Sequence, residues 1–163
     1  MKLNRMPKIE VRSLCTEING IFSSSLDLTG FAVFSNNKNR IFVSTSLVES
    51  FLKLHLNIEK AGLYFASRTH AGEIRLTIEG SQVVFQSANK NIFHADKNQI
   101  MELVRGIDID YSDSMKTLEN GFVLVVYEND CYGCGRFTGK KIVNYVKKSN
   151  RIKNLKESLT KTF

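Results

Sequence analysis

Gly121-Phe122-Val123-Leu124-Val125-Val126-Tyr127, Gly133-Cys134-Gly135-Arg136-Phe137 and Lys141-Ile142-Val143-Asn144-Tyr145-Val146 follow one another closely along this chain of 163 residues. From Phe122 to Tyr127 the run is almost entirely apolar and rich in β-branched side chains. A strand with one wet face would alternate apolar with polar residues, so this one is predicted to be buried on both faces. The second run is predicted as a strand over 133–137. Thr138-Gly139-Lys140 supplies a turn, and a third strand over 141–146 pairs back.

N-terminal to this run lies a sharp helix signal. Asp96 and Gln99, three residues apart, form a capping box that starts a helix through Ile100, Met101, Leu103 and Val104. Gly106 ends it. Further upstream, a strand is expected over 91–94 and a short helical turn over 79–86. Strands over 63–66 and 73–77 flank a turn at 69–72. The first part of the chain predicts a helix over 11–22, where Leu14, Ile18, Ile21 and Phe22 fall at helical spacing, with Asn19-Gly20 as a stop or a frayed end. A hairpin follows, over 30–34 and 40–43, around Asn36-Asn37-Lys38-Asn39. Thr45 or Ser46 caps a further helix reaching Leu54. The reading is an α+β chain: an N-terminal α/β unit over 1–60, a strand-rich unit over 61–154 and a basic tail over 155–163.

Composition is that of an ordinary globular chain, with 42% hydrophobic and 24% charged residues. No apolar run approaches the roughly 20 residues that cross a bilayer. Residues 1–10 lack the apolar stretch of a signal peptide. Three cysteines make no disulfide framework. A cytoplasmic protein with no membrane partner is expected.

The net charge of +7 is unevenly spread. Residues 1–135 hold 14 Lys/Arg and 15 Asp/Glu; residues 136–163 hold nine Lys/Arg and one acid, Glu157, a balance of +8. A nearly neutral body with a basic end is the pattern of a polyanion-binding surface. It is also the pattern of a solvated basic tail, but here the charge begins inside predicted strands.

The block 103–154 resembles the PUA-like domain of Fmu/Sun-type RNA cytosine-5 methyltransferases. Arg105-Gly106, Gly121 to Val126, Gly133-Cys134-Gly135-Arg136 and Asn144-Tyr145-Val146-Lys147 carry the likeness. The stretch from Gly62-Leu63-Tyr64-Phe65 to Ser81 is similar to the segment preceding this block in stand-alone archaeal PUA-domain ribosome-biogenesis proteins. The resemblance covers about the last two thirds of the chain. Val146 stands where the family has proline, and the family's histidine before the tyrosine is missing. What the resemblance implies is a C-terminal PUA-like β-barrel that binds RNA, rRNA or tRNA, in ribosome biogenesis or RNA modification. No glycine-rich turn for S-adenosylmethionine is found, and no catalytic Pro-Cys pair, since the lone Pro7 precedes Lys8. No catalytic residue, cofactor or enzyme activity is therefore expected.

The RNA-binding candidates are Arg136, Lys140, Lys141, Asn144, Lys147, Lys148, Arg151 and Lys153. Cations along the phosphate path give RNA affinity, without sequence preference. Arg68, Arg75 and Tyr145 are secondary candidates. Tyr145 is either core filler or a stacking platform, and Asn144 either reads a base or sugar edge or serves a turn. Gly133-x-Gly135 admits close backbone packing as well as close approach of a phosphate beside Arg136.

Other chemistries find less support. Cys131 and Cys134 form a CxxC without a second pair, and Cys15, His55, His70 and His94 lack ligand spacing. Asp108, Asp110 and Asp113 read as a solvated loop, so no metal is expected. The alternative function is a protein-interaction module that docks an RNA-modifying enzyme or an assembly factor. It would show an exposed apolar patch in the N-terminal unit and weak salt dependence.

Overall fold

The computed structural model describes residues 3–48, 61–111 and 118–152. Most of the helix expected to end at Leu54, together with Asp113, Lys153 and the tail over 155–163, lies outside them.

The described chain is a mixture of helices and two five-stranded sheets. The first sheet is an antiparallel meander of β1 (Leu3–Arg5), β2 (Ala32–Asn36), β3 (Arg40–Ser44), β4 (Leu63–Arg68) and β5 (Ile74–Leu76). Asn36 closes the β2–β3 hairpin: its Oδ1 accepts from the Lys38 and Arg40 N–H groups at 2.9 and 3.1 Å. Asn39 takes the left-handed conformation that asparagine tolerates. β3 pairs directly with β4, so this sheet crosses the 60/61 boundary expected from the sequence.

Helix α1 (Lys8–Phe22) buries Val11, Leu14, Cys15, Ile18 and Phe22, one face at helical spacing. It ends at Phe22, where the helical spacing ends, and Asn19-Gly20 lies within the helix without stopping it. Phe22 is fully buried, and burial of that ring outweighs the glycine's weak helix preference. Asn19 instead ties down the following loop, accepting from the Ser24 hydroxyl at 2.7 Å and the Leu26 N–H at 2.8 Å. Helix α2 (Ile78–Phe85) starts at Thr77, whose hydroxyl accepts from the Gly80 N–H at 3.0 Å. Gly80 lets this helix lie directly on β4, because a Cβ there would collide with the Phe65 carbonyl oxygen.

The second sheet runs in the order β6 (Ile92–His94), β8 (Gly121–Tyr127), β9 (Asp130–Phe137), β10 (Lys141–Val143), β7 (Ile109–Asp110). β6 is parallel to β8 and the other pairs are antiparallel. Helix α3 (Lys97–Arg105) joins β6 to β7, with the capping box in place: Asp96 Oδ1 accepts from the Gln99 N–H and Gln99 Oε1 from the Asp96 N–H, each at 2.9 Å. Gly106 ends it in the left-handed conformation. Instead of the closed barrel expected from the resemblance, the described ladders form an open sheet. The outer strands β6 and β7 are three and two residues long and share no ladder.

β8 is buried on both faces. Phe122, Leu124 and Val126 pack into one core with Val11, Leu14, Ile18, Phe65, Ile74 and Val84. Val123 and Val125 pack into a second core with Ile100, Leu103, Ile109, Phe137 and Ile142. The first core therefore joins the two sheets.

β9 carries a bulge at Tyr132, since Val125 faces Gly133 while Val126 faces Cys131. In an unbroken strand residues 131 and 134 would point to opposite sides. The extra residue turns both thiols into the first core. Gly133 takes φ +143 at this bulge, and a Cβ on Gly135 would collide with Ile142 Cγ2. Close packing accounts for the second glycine.

β10 stops at Val143, short of the expected Val146. Asn144 breaks the ladder. Its N–H donates to Asp108 Oδ1 at 2.9 Å, and its own Oδ1 accepts from the Val146 N–H at 2.7 Å.

Candidate nucleic-acid interface

Two rows of cations on aromatic rings border the seam between the sheets. Arg136, on β9, holds its guanidinium 5.4 Å from the centre of the Phe122 ring. Phe122 lies 6.0 Å from Tyr145, and Arg75, on β5, lies 4.9 Å over the Tyr145 ring. In the second row Lys147 sits 4.5 Å and Arg40 5.7 Å from the centre of the Tyr64 ring, which packs on Phe42. Between the rows is a cleft of about 110 Å³ walled by Tyr64, Arg75, Tyr145 and Lys147, with Gly133 and Cys134 among its lining. Tyr145 lines this cleft and keeps 37% of its surface exposed.

Local structure explains this gathering. Ending β10 at Asn144 frees Tyr145 to Lys147 from the ladder and lays them along the seam. Alternation along β4 buries Phe65 on one side and turns Tyr64 to the other, where register sets it against Phe42. Arg136 is held by an ion pair with Glu73 at 2.5 Å, and that partner raises its pKa above the usual guanidinium value.

The other sequence candidates divide. Lys140 and Lys148 are exposed and make no ion pair with a described residue. Lys141 Nζ donates to Asp108 Oδ2 at 2.7 Å; the contact holds the Asp108 carboxyl below its usual range and the lysine above its own. Asn144 serves the turn: its Nδ2 donates to the Leu103 and Ile107 carbonyls at 2.7 and 2.9 Å. Arg151 fills the space left by the missing Gly106 side chain and donates to the Val146 carbonyl at 3.1 Å.

Arg68 stands apart from the seam. It pairs with Glu17 at 3.1 Å and lines a cleft of about 270 Å³ with Met6, Glu10, Ser13 and Asn39. That cleft is larger, but it has no aromatic ring and its arginine already faces a carboxylate. Tyr64, Arg40 and Phe122 join the site without being sequence candidates. Their signal is contact between paired strands and with the segment after β10, which no local pattern encodes; only the alternation of the tyrosine with Phe65 hints at it.

Cys131 and Cys134 are buried thiols, with burial pushing them up to about 11 and about 12. At neutral pH they are protonated and poor nucleophiles or metal ligands. Among the described residues, no group of three or more His, Cys, Asp and Glu is placed to hold a metal. No described helix is long and apolar enough to cross a membrane.

The fold is similar to that of PUA-domain proteins. A conserved PUA domain protein from Thermoplasma acidophilum superposes with a TM-score of 0.60 at 11% identity, over 91% of this chain and 97% of its own. A hypothetical protein from the hyperthermophilic archaeon Pyrococcus horikoshii gives 0.57 at 12% identity, over 90% and 95%. No family model and no curated protein matches the sequence. At these identities the likeness is one of fold.

Proposed function

We propose that this protein binds structured RNA, rRNA or tRNA, along the seam between its two sheets. The carrying observation is that cations from the first sheet and from the segment after β10 converge on aromatic rings around one cleft: Arg75 on Tyr145, Lys147 on Tyr64. Cations hold phosphates and ring faces stack bases, and RNA recognition needs both. The fold likeness to PUA-domain proteins, a class of RNA-binding modules, supports the reading by analogy. So does the kinship suggested by the Fmu/Sun-type motifs. On this reading the protein works in the cytoplasm, in ribosome biogenesis or RNA modification. It presents or holds RNA and performs no chemistry of its own.

A second reading is docking of a modification enzyme or assembly factor. It draws on the exposed Ile9, Phe31 and Leu47 in the first part of the chain.

Salt separates the two readings. Titrating the protein with tRNA and with rRNA at two salt concentrations gives a slope that counts displaced counterions. Replacing Lys140, Lys141, Lys147 and Lys148 with glutamine lowers affinity and reduces the slope by about 1 for each phosphate that is no longer neutralised. Equal slopes for the two proteins reject the proposed surface.

A further inference from the structure

The seam cleft has a chemistry more specific than a phosphate-binding face, and its ligand class follows from that chemistry. We infer that it seats a single unpaired nucleotide of the bound RNA, with the base against Tyr145 and the phosphate between Arg75 and Lys147. The inference rests on the RNA-binding reading and deepens it.

Size sets the first limit. About 110 Å³ is well below the roughly 300–1,000 Å³ of pockets that enclose whole cofactors or drug-sized ligands. It suits one flat ring. A base inside a duplex is stacked on both faces and cannot enter a cleft between two sheets, so the ligand must be a base already out of its helix, as in a bulge, loop or strand end.

Chemistry sets the second. Tyr64 and Tyr145 both line the cleft, and each ring has a cation beside it: Lys147 at 4.5 Å and Arg75 at 4.9 Å. Base stacking on an aromatic side chain tolerates any base, and a neighbouring cation holds the backbone. The Asn150 amide and the exposed Glu79 carboxylate also line the cleft. Between them they offer a donor and an acceptor to a base edge. A bare anion would need the cations but not the rings. An apolar peptide side chain would need the rings but not the cations.

Geometry sets the third. Tyr64 and Arg75 come from the first sheet, and Tyr145 and Lys147 from the segment after β10. Neither half makes the cleft alone.

The test uses the full chain and two hairpin RNAs that differ only in one nucleotide. One carries a bulged 2-aminopurine, the other carries it paired. The bulged hairpin is expected to bind about tenfold more tightly, by the usual scale of base stacking on an aromatic side chain, with quenching of the 2-aminopurine emission. Tyr145→Ala and Arg75→Ala should each remove most of that preference, while Tyr145→Phe, which keeps the ring, should retain it. Circular dichroism shows whether each variant is folded, and the wild-type and Tyr145→Phe quenching stands without the alanine variants. Equal, salt-sensitive binding of both hairpins overturns the cleft assignment and leaves the RNA reading intact. Preference for the bulge that survives in folded Tyr145→Ala and Arg75→Ala overturns it too. Binding of neither hairpin, nor of tRNA or rRNA, overturns the RNA reading and the cleft with it.

Discussion

Asn144 shows how one polar side chain can look like a ligand-reading group and be committed to the fold. Its amide donates to two carbonyls and accepts from one N–H, which ends β10 and sets the path of Tyr145 to Lys147. Asn144→Ala strands those partners and is expected to cost about 1–3 kcal/mol. Lys148→Ala, on the exposed surface, should change stability by less than about 0.5 kcal/mol. Urea unfolding of the two variants checks the contrast. Asp108 adds a pH dependence. Its Lys141 contact and the Asn144 N–H favour the carboxylate in the folded state, so its pKa is lowered. The stabilisation is therefore fully present above the ordinary aspartate value of about 3.9 and is lost as pH falls through the lower folded value. With this carboxylate about a third exposed, solvent screening keeps the effect small. The stability gap between wild type and Asp108→Asn should be widest near neutral pH and should close on acidification below about pH 4.

At the scale of elements, two glycines differ in what an added side chain would meet. Gly20 lies in the last part of α1 with open space where a Cβ would be, whereas Gly135 lies against Ile142. Gly20→Ala should stabilise by about 0.5–1 kcal/mol through helix preference. Gly135→Ala should destabilise by about 1–3 kcal/mol through overpacking. Thermal or urea unfolding reads both signs. These positions mark what is legible in the sequence. The both-faces burial of β8 and the α3 capping box are local patterns, and the structure carries both. The early end of β10 depends on the contact of the Asn144 N–H with Asp108, and the bulge at Tyr132 on the register of β8 with β9. Both are set by packing between distant segments, which periodicity does not record.

For the whole molecule, the shared core is the controlling feature. β8 contributes Phe122, Leu124 and Val126 to the same cluster as α1 and β4, so the sheets should unfold together. Far-ultraviolet circular dichroism and tyrosine fluorescence are expected to give one coincident transition. Two separated transitions would show the sheets to be independent. The same joint makes the candidate site. Basic residues near the C-terminal end are visible in the sequence as charge, and Tyr145 as an open choice between core and platform. That Arg75 from β5 lies on Tyr145, and Lys147 on Tyr64, is not visible there, because each pair joins segments dozens of residues apart. The seam is thus where fold and proposed function meet. Backbone amide shifts followed by NMR during titration with a bulged RNA hairpin test that claim most directly. Shifts should concentrate at Tyr64, Arg75 and residues 144–150 and leave Ile9, Arg12 and Thr16 on α1 unmoved. Shifts centred on those α1 residues, or none at the seam, would contradict it.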